Sequence, residues 1–481
     1  MTDEGWNFEH SYAALPQIFY RNQTPATAPQ PEMVIFNHAL ARDLGLNASE
    51  PQNLPGIFSG TELPRGANPI SQAYAGFQFG HFARLGDGRA ILLGEQITPD
   101  GSRFDIHLKG AGRTPFSRGG DGLAALLPML REYIVSEAMF ALGIPSSRSL
   151  AVVRTGADVI REKVLPGAVL TRVAQSHIRV GTFDYISAFG SKEDLSRLSD
   201  YCIWRHFPQL ESQESGLKYL SFLRETARLQ AALIARWQLT GFVHGVMNTD
   251  NMAISGETID YGPCAFMDTY DPDTVFSSID TRGRYSYKNQ PAVGAWNLSR
   301  FAEAILPLLH KNRGEAVELA NAEIARYWES YNENWLDGMR QKLGLCTKEP
   351  EDSNLADELL GIMKDHKLDF TITFRSLINT EQGTSKLSET TAFAPWNEKW
   401  KARLKRQVQS PEEVMALMEA SNPAVIPRNH LVEEALSAAD SGDISVTHDL
   451  LAALRNPFTE SPKYSLPPEP GSPRYRTFCG T

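Results

Sequence analysis

The chain has 481 residues, 42% of them hydrophobic and 22% charged, which is a globular balance with material for large cores. At roughly 150 residues per domain this length corresponds to about two to four domains. A net charge of −10 argues against a general nucleic-acid binder, which needs a basic face, and no run approaches the ~20 apolar residues that span a bilayer.

The N-terminus MTDEGWNFEHSYAALP is acidic and has neither the apolar run of a secretory signal nor the arginines of a transit peptide. Cys202, Cys264, Cys346 and Cys479 are widely spaced without a CxxC, the pattern of reduced thiols in a cytoplasmic protein. Neither a nucleic acid nor a membrane is expected as a partner.

Residues 20–70 are rich in Pro, Asn and Gly and read as loop, most clearly in QTPATAPQPE. Strands are predicted from about 76 to 110. In GFQFGHFARLGDGRAILLGE the pair Asp87-Gly88 between apolar runs is a hairpin signal. FDIHLKG is a short strand ending near Lys109, followed by the glycine-rich GAGRTPFSRGGDG.

LPMLREYIVSEAMFALGIP reads as a helix with Pro128 in its first turn and Gly143 and Pro145 as its stop. SLAVVRTG and GAVLTRVA are strand-like, so the first ~180 residues predict an antiparallel sheet carrying one main helix. Helices dominate from 185 onward. LKYLSFLRETARLQAALIARWQLTG has helical spacing and a C-terminal Gly241. A helix over 315–343 carries Val317, Ala320, Ile324, Trp328, Tyr331, Trp335 and Met339 on one stripe, read as core. SPEEVMALM opens a helix with a Ser cap, and the tail from Asn456 is Pro-rich and extended.

HGVMNTDNMAISGETIDYG, residues 244–262, carries the chemistry. A phosphotransferase catalytic loop begins with His, has Asp two residues on and Asn seven residues on, then a strand leading to Asp-x-Gly. Here Asn251 stands seven after His244, and Asp260-Tyr261-Gly262 follows. An amide oxygen and a carboxylate at these positions suit a Mg²⁺ on nucleotide phosphates. Asn, Asp and Gly also make ordinary turns, but the helix, His, Asn, strand and Asp-x-Gly in this order favour a metal site.

Val246 stands where the catalytic aspartate belongs, and valine cannot accept a proton. Asp250 is the nearest carboxylate to take that part, which implies that a different phosphorus is attacked. Lys109 at a strand end resembles a phosphate-pairing lysine, with Glu132 or Glu137 on the following helix as its partner. Gly86, Gly88 and Arg89 read either as a hairpin turn or as a close approach to a nucleotide, and Asp121 and Gly122 share that ambiguity. A turn at Gln175-Ser176 would let Arg172 and Arg179 converge on a polyphosphate.

HGVMNTDNM, TIDYGP, LREYIVSEAM, ALGIPSSRSL, LKGAGRTPFSRGGDG and the terminal Cys479 together resemble the selenoprotein O family, from about residue 6 to the end. The resemblance implies an α+β, protein-kinase-like two-lobed fold with a β-rich N-lobe and a helical C-lobe. It places an N-terminal extension over 1–75, the nucleotide-binding N-lobe over 76–184, and the C-lobe with catalytic loop and metal site over 185–345. A helical extension over 346–455 and a tail over 456–481 follow. It implies a protein adenylyltransferase that binds ATP in a flipped orientation and transfers AMP to protein Ser, Thr or Tyr hydroxyls. UMP transfer from UTP is associated with bacterial members.

By that resemblance Asp250 matches the catalytic base, Asn251 and Asp260 the Mg²⁺ (or Mn²⁺) ligands, and Lys109 the phosphate-binding lysine with Glu132 as its ion-pair partner. Gly86, Gly88, Arg89, Asp121, Gly122, Arg172 and Arg179 match the nucleotide contacts. Some members pair the terminal cysteine with a cysteine in the loop after Asp-x-Gly. DPDTVFSSID has none, which leaves Cys264, next to the metal motif, as the nearest thiol and a Cys264–Cys479 pairing open. A γ-phosphate phosphotransferase and a non-catalytic nucleotide-binding pseudokinase are the alternatives. Val246 favours the second of these, whereas Lys109, Asp250, Asn251 and Asp260 together speak against it.

Overall fold

In FDIHLKG, Ile106 and Leu108 alternate with Asp105, His107 and Lys109, so one face of the strand is apolar and the other polar. This strand is central in the computed structural model, which describes residues 5–47, 54–378, 386–469, 471–472 and 475–477. The Cys264–Cys479 pairing therefore lies outside the described residues.

Among the described residues the strands of three or more residues are β1 (Tyr20–Asn22), β2 (Glu32–Phe36), β3 (Ile70–Gln72), β4 (Ala75–Gln78), β5 (His81–Arg84), β6 (Ala90–Ile97), β7 (Arg103–Lys109), β8 (Arg148–Ile160) and β9 (Val164–Ala174). Seven of them form an antiparallel sheet in the order β1-β3-β6-β7-β9-β8-β2, with the two-residue strands Phe8–Glu9 and Ala124–Ala125 added to it. Its outer face, including Ile91, Ile106, Leu108 and Val169, is covered by the short helices His38–Asp43 and Leu54–Ser59. Residues 20–70, expected as loop, thus supply three strands and two helices. Each is too short to show a period, and each is held by its neighbours in the sheet and core.

The hairpin turn is not at Asp87-Gly88. It lies at Phe79-Gly80, between β4 and β5, where both residues take positive φ (51° and 88°) as a primed two-residue turn requires. Asp87 is instead buried in the connection to β6, its carboxylate accepting from the Gln72 amide at 3.0 Å.

Helix α1 (Leu126–Ala141) lies on the inner face. Gly143 at φ +73° closes it: the Gly143 amide bonds to Phe140 O and the Ile144 amide to Met139 O, a Schellman ending. Helices α2 (Val180–Phe189), α3 (Ser215–Thr240), α4 (Gln290–Leu309) and α5 (Arg313–Lys342) share a second core through Phe183, Phe222 and Phe301.

The buried line of α5 is rotated from the expected stripe. Ala316, Ala320, Tyr327, Tyr331 and Met339 are buried, while Val317 and Trp328 are 38% and 37% exposed. The small Ala316 and Ala320 keep the contact side shallow as α5 runs along α3 and α4. The Ser410 cap holds as expected: its hydroxyl accepts from the Glu413 amide at the start of Pro411–Ser421. Helices α6 (Asn429–Asp440) and α7 (Ser445–Leu454) return to α1, packing Leu431, Leu436 and Leu451 into the cluster of Leu130 and Ile134. They therefore brace the helix that carries Glu132. No helix among the described residues is long and apolar enough to cross a membrane.

Candidate active site

The loop is fixed at both ends by backbone pairing. Helix α3 stops at Gly241 (φ +72°), and Phe242–Val243 pairs with Ala265–Phe266, which brings His244 and the Asp260-Tyr261-Gly262 turn side by side. His244 is fully buried, burial lowers its pKa, and its Nε2 donates to Ile259 O at 3.0 Å. The segment between Asn251 and Asp260 is not the expected strand. Isolated bridges Arg179↔Ala253 and Met252↔Thr258 flank a tight turn with Gly256 at φ +76°.

Val246 contributes through its backbone. Its carbonyl accepts from Asn251 Nδ2 at 2.9 Å, which leaves Asn251 Oδ1 buried without a protein partner. Asp260 sits at φ +66°, a left-handed position that Asp tolerates better than most residues.

Lys109 and Arg172 are diagonal neighbours on β7 and β9, because Arg172 stands opposite His107 and Leu170 opposite Lys109. Lys109 Nζ lies 2.7 Å from Glu132 and 3.1 Å from Asp260 Oδ1. Arg172 bonds Glu132 through Nε and Asp260 Oδ1 through Nη2 at 2.6 Å. Glu132, not Glu137, is therefore the partner of Lys109, and Glu137 holds Arg148 and Asn37. Burial alone would raise both Glu132 and Asp260. Arg172 and Lys109 outweigh it at Glu132, and Lys109, Arg172 and Arg179 hold Asp260 well below the carboxylate range.

Arg179 leaves the sheet after the break at Gln175-Ser176, and its bridge to Ala253 ties it to the loop just past Asn251. Its guanidinium lies over the Tyr74 ring at 4.2 Å and is 3.6 Å from Asp87 Oδ1. Its Nε and Nη1 are buried without hydrogen-bond partners among the described residues. Buried donors with open hydrogen-bonding capacity of this kind are what a phosphate group satisfies.

Asp250 is buried, and burial pushes its carboxyl up to about 7, with Asp260 and Asp184 adding in the same direction. Its Oδ1 has no hydrogen-bond partner among the described residues. Strand β4 covers the loop: the Phe77 amide donates to Thr249 Oγ1 (3.0 Å) and the Phe79 amide to Asn248 Oδ1 (3.2 Å). The structure thus brings Lys109, Glu132, Arg172, Arg179, Asp250, Asn251 and Asp260 together.

The remaining candidates are placed differently. Gly86 (φ +118°) and Gly88 leave room for Phe116 and its backbone, and Gly122 (φ +71°) packs on the Gly112 backbone, so these glycines lock the 112–122 loop onto the 86–88 segment. Arg89 is half-buried beside them, its carbonyl accepting from the Gly110 amide. Asp121 is exposed and paired with Arg161 at 2.7 Å, which holds its carboxyl below the ordinary range. The sequence reading missed Tyr74, Gly76, Asp87 and His107. No local signal marks Gly76, because the turn at Phe79-Gly80 that puts β4 on the loop uses a phenylalanine at positive φ. The polar alternation in FDIHLKG was the signal for His107.

The donor set fits a hard divalent cation sparingly. Among the described residues no three His, Cys, Asp or Glu gather as a metal cluster. Asn251 Oδ1 and the Asp260 carboxylate, whose side chain is 34% exposed, offer hard oxygens to an ion that completes its shell with phosphates and water.

The model of one protein family, described as protein adenylyltransferase SelO, matches residues 4–455. Relatives named protein nucleotidyltransferase YdiU are similar over essentially the whole chain. That of Halalkalibacterium halodurans is 59% identical over 99% of this chain and 98% of its own. That of Brevibacillus brevis is 57% identical over 100% and 98%, and that of Bacillus cereus 56% over 100% and 99%.

Proposed function

The chain belongs to the SelO protein adenylyltransferase family, a kinase-like family of nucleotidyltransferases, and from that premise we propose how its own residues move AMP from ATP to a protein hydroxyl. The acceptor is a Ser, Thr or Tyr side chain, and UTP is a second donor in the same pocket. One observation supports the reading above the others. A buried carboxylate with a free oxygen, Asp250, adjoins a buried amide oxygen with no partner, Asn251, beside the cluster of Lys109, Arg172 and Asp260.

Asp250 takes the proton of the acceptor hydroxyl, whose oxygen bonds to the α-phosphorus. The bond from that phosphorus to the bridging oxygen breaks, and pyrophosphate departs with the electron pair. Lys109, Arg172 and Arg179 hold the leaving pyrophosphate, where negative charge grows as the bond lengthens. Glu132 keeps Lys109 and Arg172 in place. A base whose pKa lies near neutrality is matched to this proton transfer, and such help is typically worth ~10²–10⁴ in rate. Asn251 and Asp260 would hold Mg²⁺ or Mn²⁺, which when bound neutralises phosphate charge. Cys202, buried and free among the described residues, supports a cytoplasmic setting.

ATP labelled on the α-phosphate and, separately, on the γ-phosphate tests the reading. The α label is expected on protein with release of pyrophosphate, and Asp250→Asn is expected to lose it while still binding ATP. A retained γ label identifies an ordinary phosphotransferase, and neither label, with ATP bound, identifies a nucleotide-binding pseudokinase.

A further inference from the structure

A second feature adjoins the Asp250 loop on a side that the nucleotide chemistry does not use. Asn248, two residues before Asp250, accepts hydrogen bonds from the Phe79 amide and from Tyr285 Oη. Those contacts join the β4–β5 turn to the segment 279–286. Between that turn, that segment and α4 opens a cavity of about 720 Å³ lined by Phe79, His81, Ile279, Arg282, Arg284 and Trp296, among others.

Its wall is cationic in a chain whose net charge is −10. The Arg284 guanidinium lies 4.8 Å from the Trp296 ring and 5.7 Å from Tyr285, and its Nε is buried without a hydrogen-bond partner. Arg282 and His81 are exposed, and neither arginine makes an ion pair among the described residues. Among the described residues, Asp280 is the one acidic side chain of the wall. It is turned inward, its two oxygens accepting from the Arg284 and Tyr285 amides at 3.0 and 2.8 Å. Ile279, 59% exposed, adds an apolar rim. An arginine stacked on tryptophan with an open donor is built for a carboxylate.

We infer that this cavity is the docking site for an acidic stretch of the acceptor polypeptide, with Arg282 and Arg284 reading carboxylates and Ile279 and Trp296 gripping the apolar atoms beside them. It rests on the proposed transfer to protein hydroxyls, and it selects among acceptors without entering the chemistry. The nucleotide cations belong to β7, β9 and the start of α2, whereas these arginines belong to the 279–286 segment. Binding to the two sets is therefore separable.

The probes are two fluorescein-labelled synthetic peptides with a single tyrosine, flanked by glutamates in one and by lysines in the other. Fluorescence anisotropy with the full-length protein is expected to show at least about tenfold tighter binding of the glutamate peptide, weakening as salt is added. Arg282→Ala, exposed and harmless to folding, is expected to lose part of that preference. Arg282→Ala/Arg284→Ala is expected to lose nearly all of it, with ATP affinity unchanged. Equal binding of the two peptides by the wild-type protein, or an undiminished preference in the double variant, overturns the docking site. Transfer from α-labelled ATP to the bound peptide is read separately. Its absence with binding intact counts against the transfer reading alone.

Discussion

Gly76 of β4 lies with its Cα directly against the Asp250 carboxylate, so close that a Cβ there would collide with Oδ1. Gly181, in the first turn of α2, packs on the neighbouring Ala75 carbonyl, where a Cβ would collide with the oxygen and stand 3.1 Å from the Asp250 Cα. Gly76 thus packs on the proposed base and Gly181 on the strand and backbone beside it, and neither has room for a side chain.

Gly76→Ala is expected to push the carboxylate aside. A displacement of about 1 Å at a reacting group can cost ~10²-fold in rate, so AMP transfer should fall by roughly that factor while ATP affinity changes little. Gly361→Ala, on the helix Asp352–Asp365 with open space around the added methyl, is the control. It should leave transfer unchanged and raise stability by about 0.5–1 kcal/mol. Single-turnover rates alongside ATP titration check both, and wild-type rates in Gly76→Ala would show that Gly76 does not position the base.

Glu132 and Glu137 are five residues apart on α1, and the structure gives them separate duties. Glu132 is 1% exposed and neutralises Lys109 and Arg172 together. Removing its charge leaves two buried cations short of a partner, a loss of the kind that costs ~3–5 kcal/mol. Glu132→Gln is expected to lower both the melting temperature and ATP affinity. Glu137→Gln should cost stability through Arg148 and leave nucleotide binding intact. Calorimetric titration of ATP into both variants separates the outcomes, and the reverse pattern would reassign the partner of Lys109.

The site was legible where chemistry imposes spacing and obscure where packing decides. His244, Asn251 and Asp260 are close in sequence, so their residue types could be matched to a task. Lys109 could be placed at a strand end, but nothing local distinguished Glu132 from Glu137. That choice depends on which face of α1 meets the sheet, and α6 and α7, some 300 residues later, help to set it. The hairpin signal misled because Asp87-Gly88 has the composition of a turn while Asp87 is drawn into the interior by Gln72, His107 and Arg179. The true turn uses Phe79, a residue that turn chemistry disfavours, held by the Asn248 side chain and Tyr285. Strands β1, β2 and β3 were invisible because three to five residues cannot display a period.

That interior position gives Asp87 a task. Its carboxylate touches His107 Nε2 at 3.2 Å and faces Arg179, whose Nη1 lies 3.6 Å from Asp87 Oδ1. Burial alone would raise the Asp87 pKa, but His107 first and then Arg179 hold it below the ordinary range, so it is charged at neutral pH. Asp87→Asn keeps the shape and removes the charge that steadies Arg179. The expected result is a rise of about tenfold in KM for ATP with a smaller change in kcat, because the ground-state grip on the nucleotide is lost first. A kcat effect alone would show that Asp87 does not act through Arg179. The depressed pKa also means that the stabilisation from Asp87 is present above the unfolded pKa and is lost as pH falls through the folded one. The Asp87→Asn variant should therefore show a shallower loss of stability in acid than the wild type.

Lys342, in the last turn of α5, is a liability that fold packing tolerates. It is 3% exposed, its Nζ lies 4.3 Å from the Phe374 ring and 5.6 Å from Phe370, and among the described residues it forms no ion pair. Burial lowers its pKa from an ordinary 10.5 to about 7. At roughly 1.4 kcal/mol for each tenfold change in proton affinity, keeping the charge inside costs several kcal/mol. The folded chain binds fewer protons here than the unfolded chain between about pH 7 and 10.5, so wild-type stability rises with pH across that window. Lys342→Met removes the titration and keeps the length of the side chain. It should melt higher than the wild type at pH 6–7, with the gap closing as pH approaches 10. Melting curves across this range decide the matter: a gap that does not change with pH would mean that attraction between the Lys342 ammonium and the rings of Phe370 and Phe374 offsets the cost of burial in full.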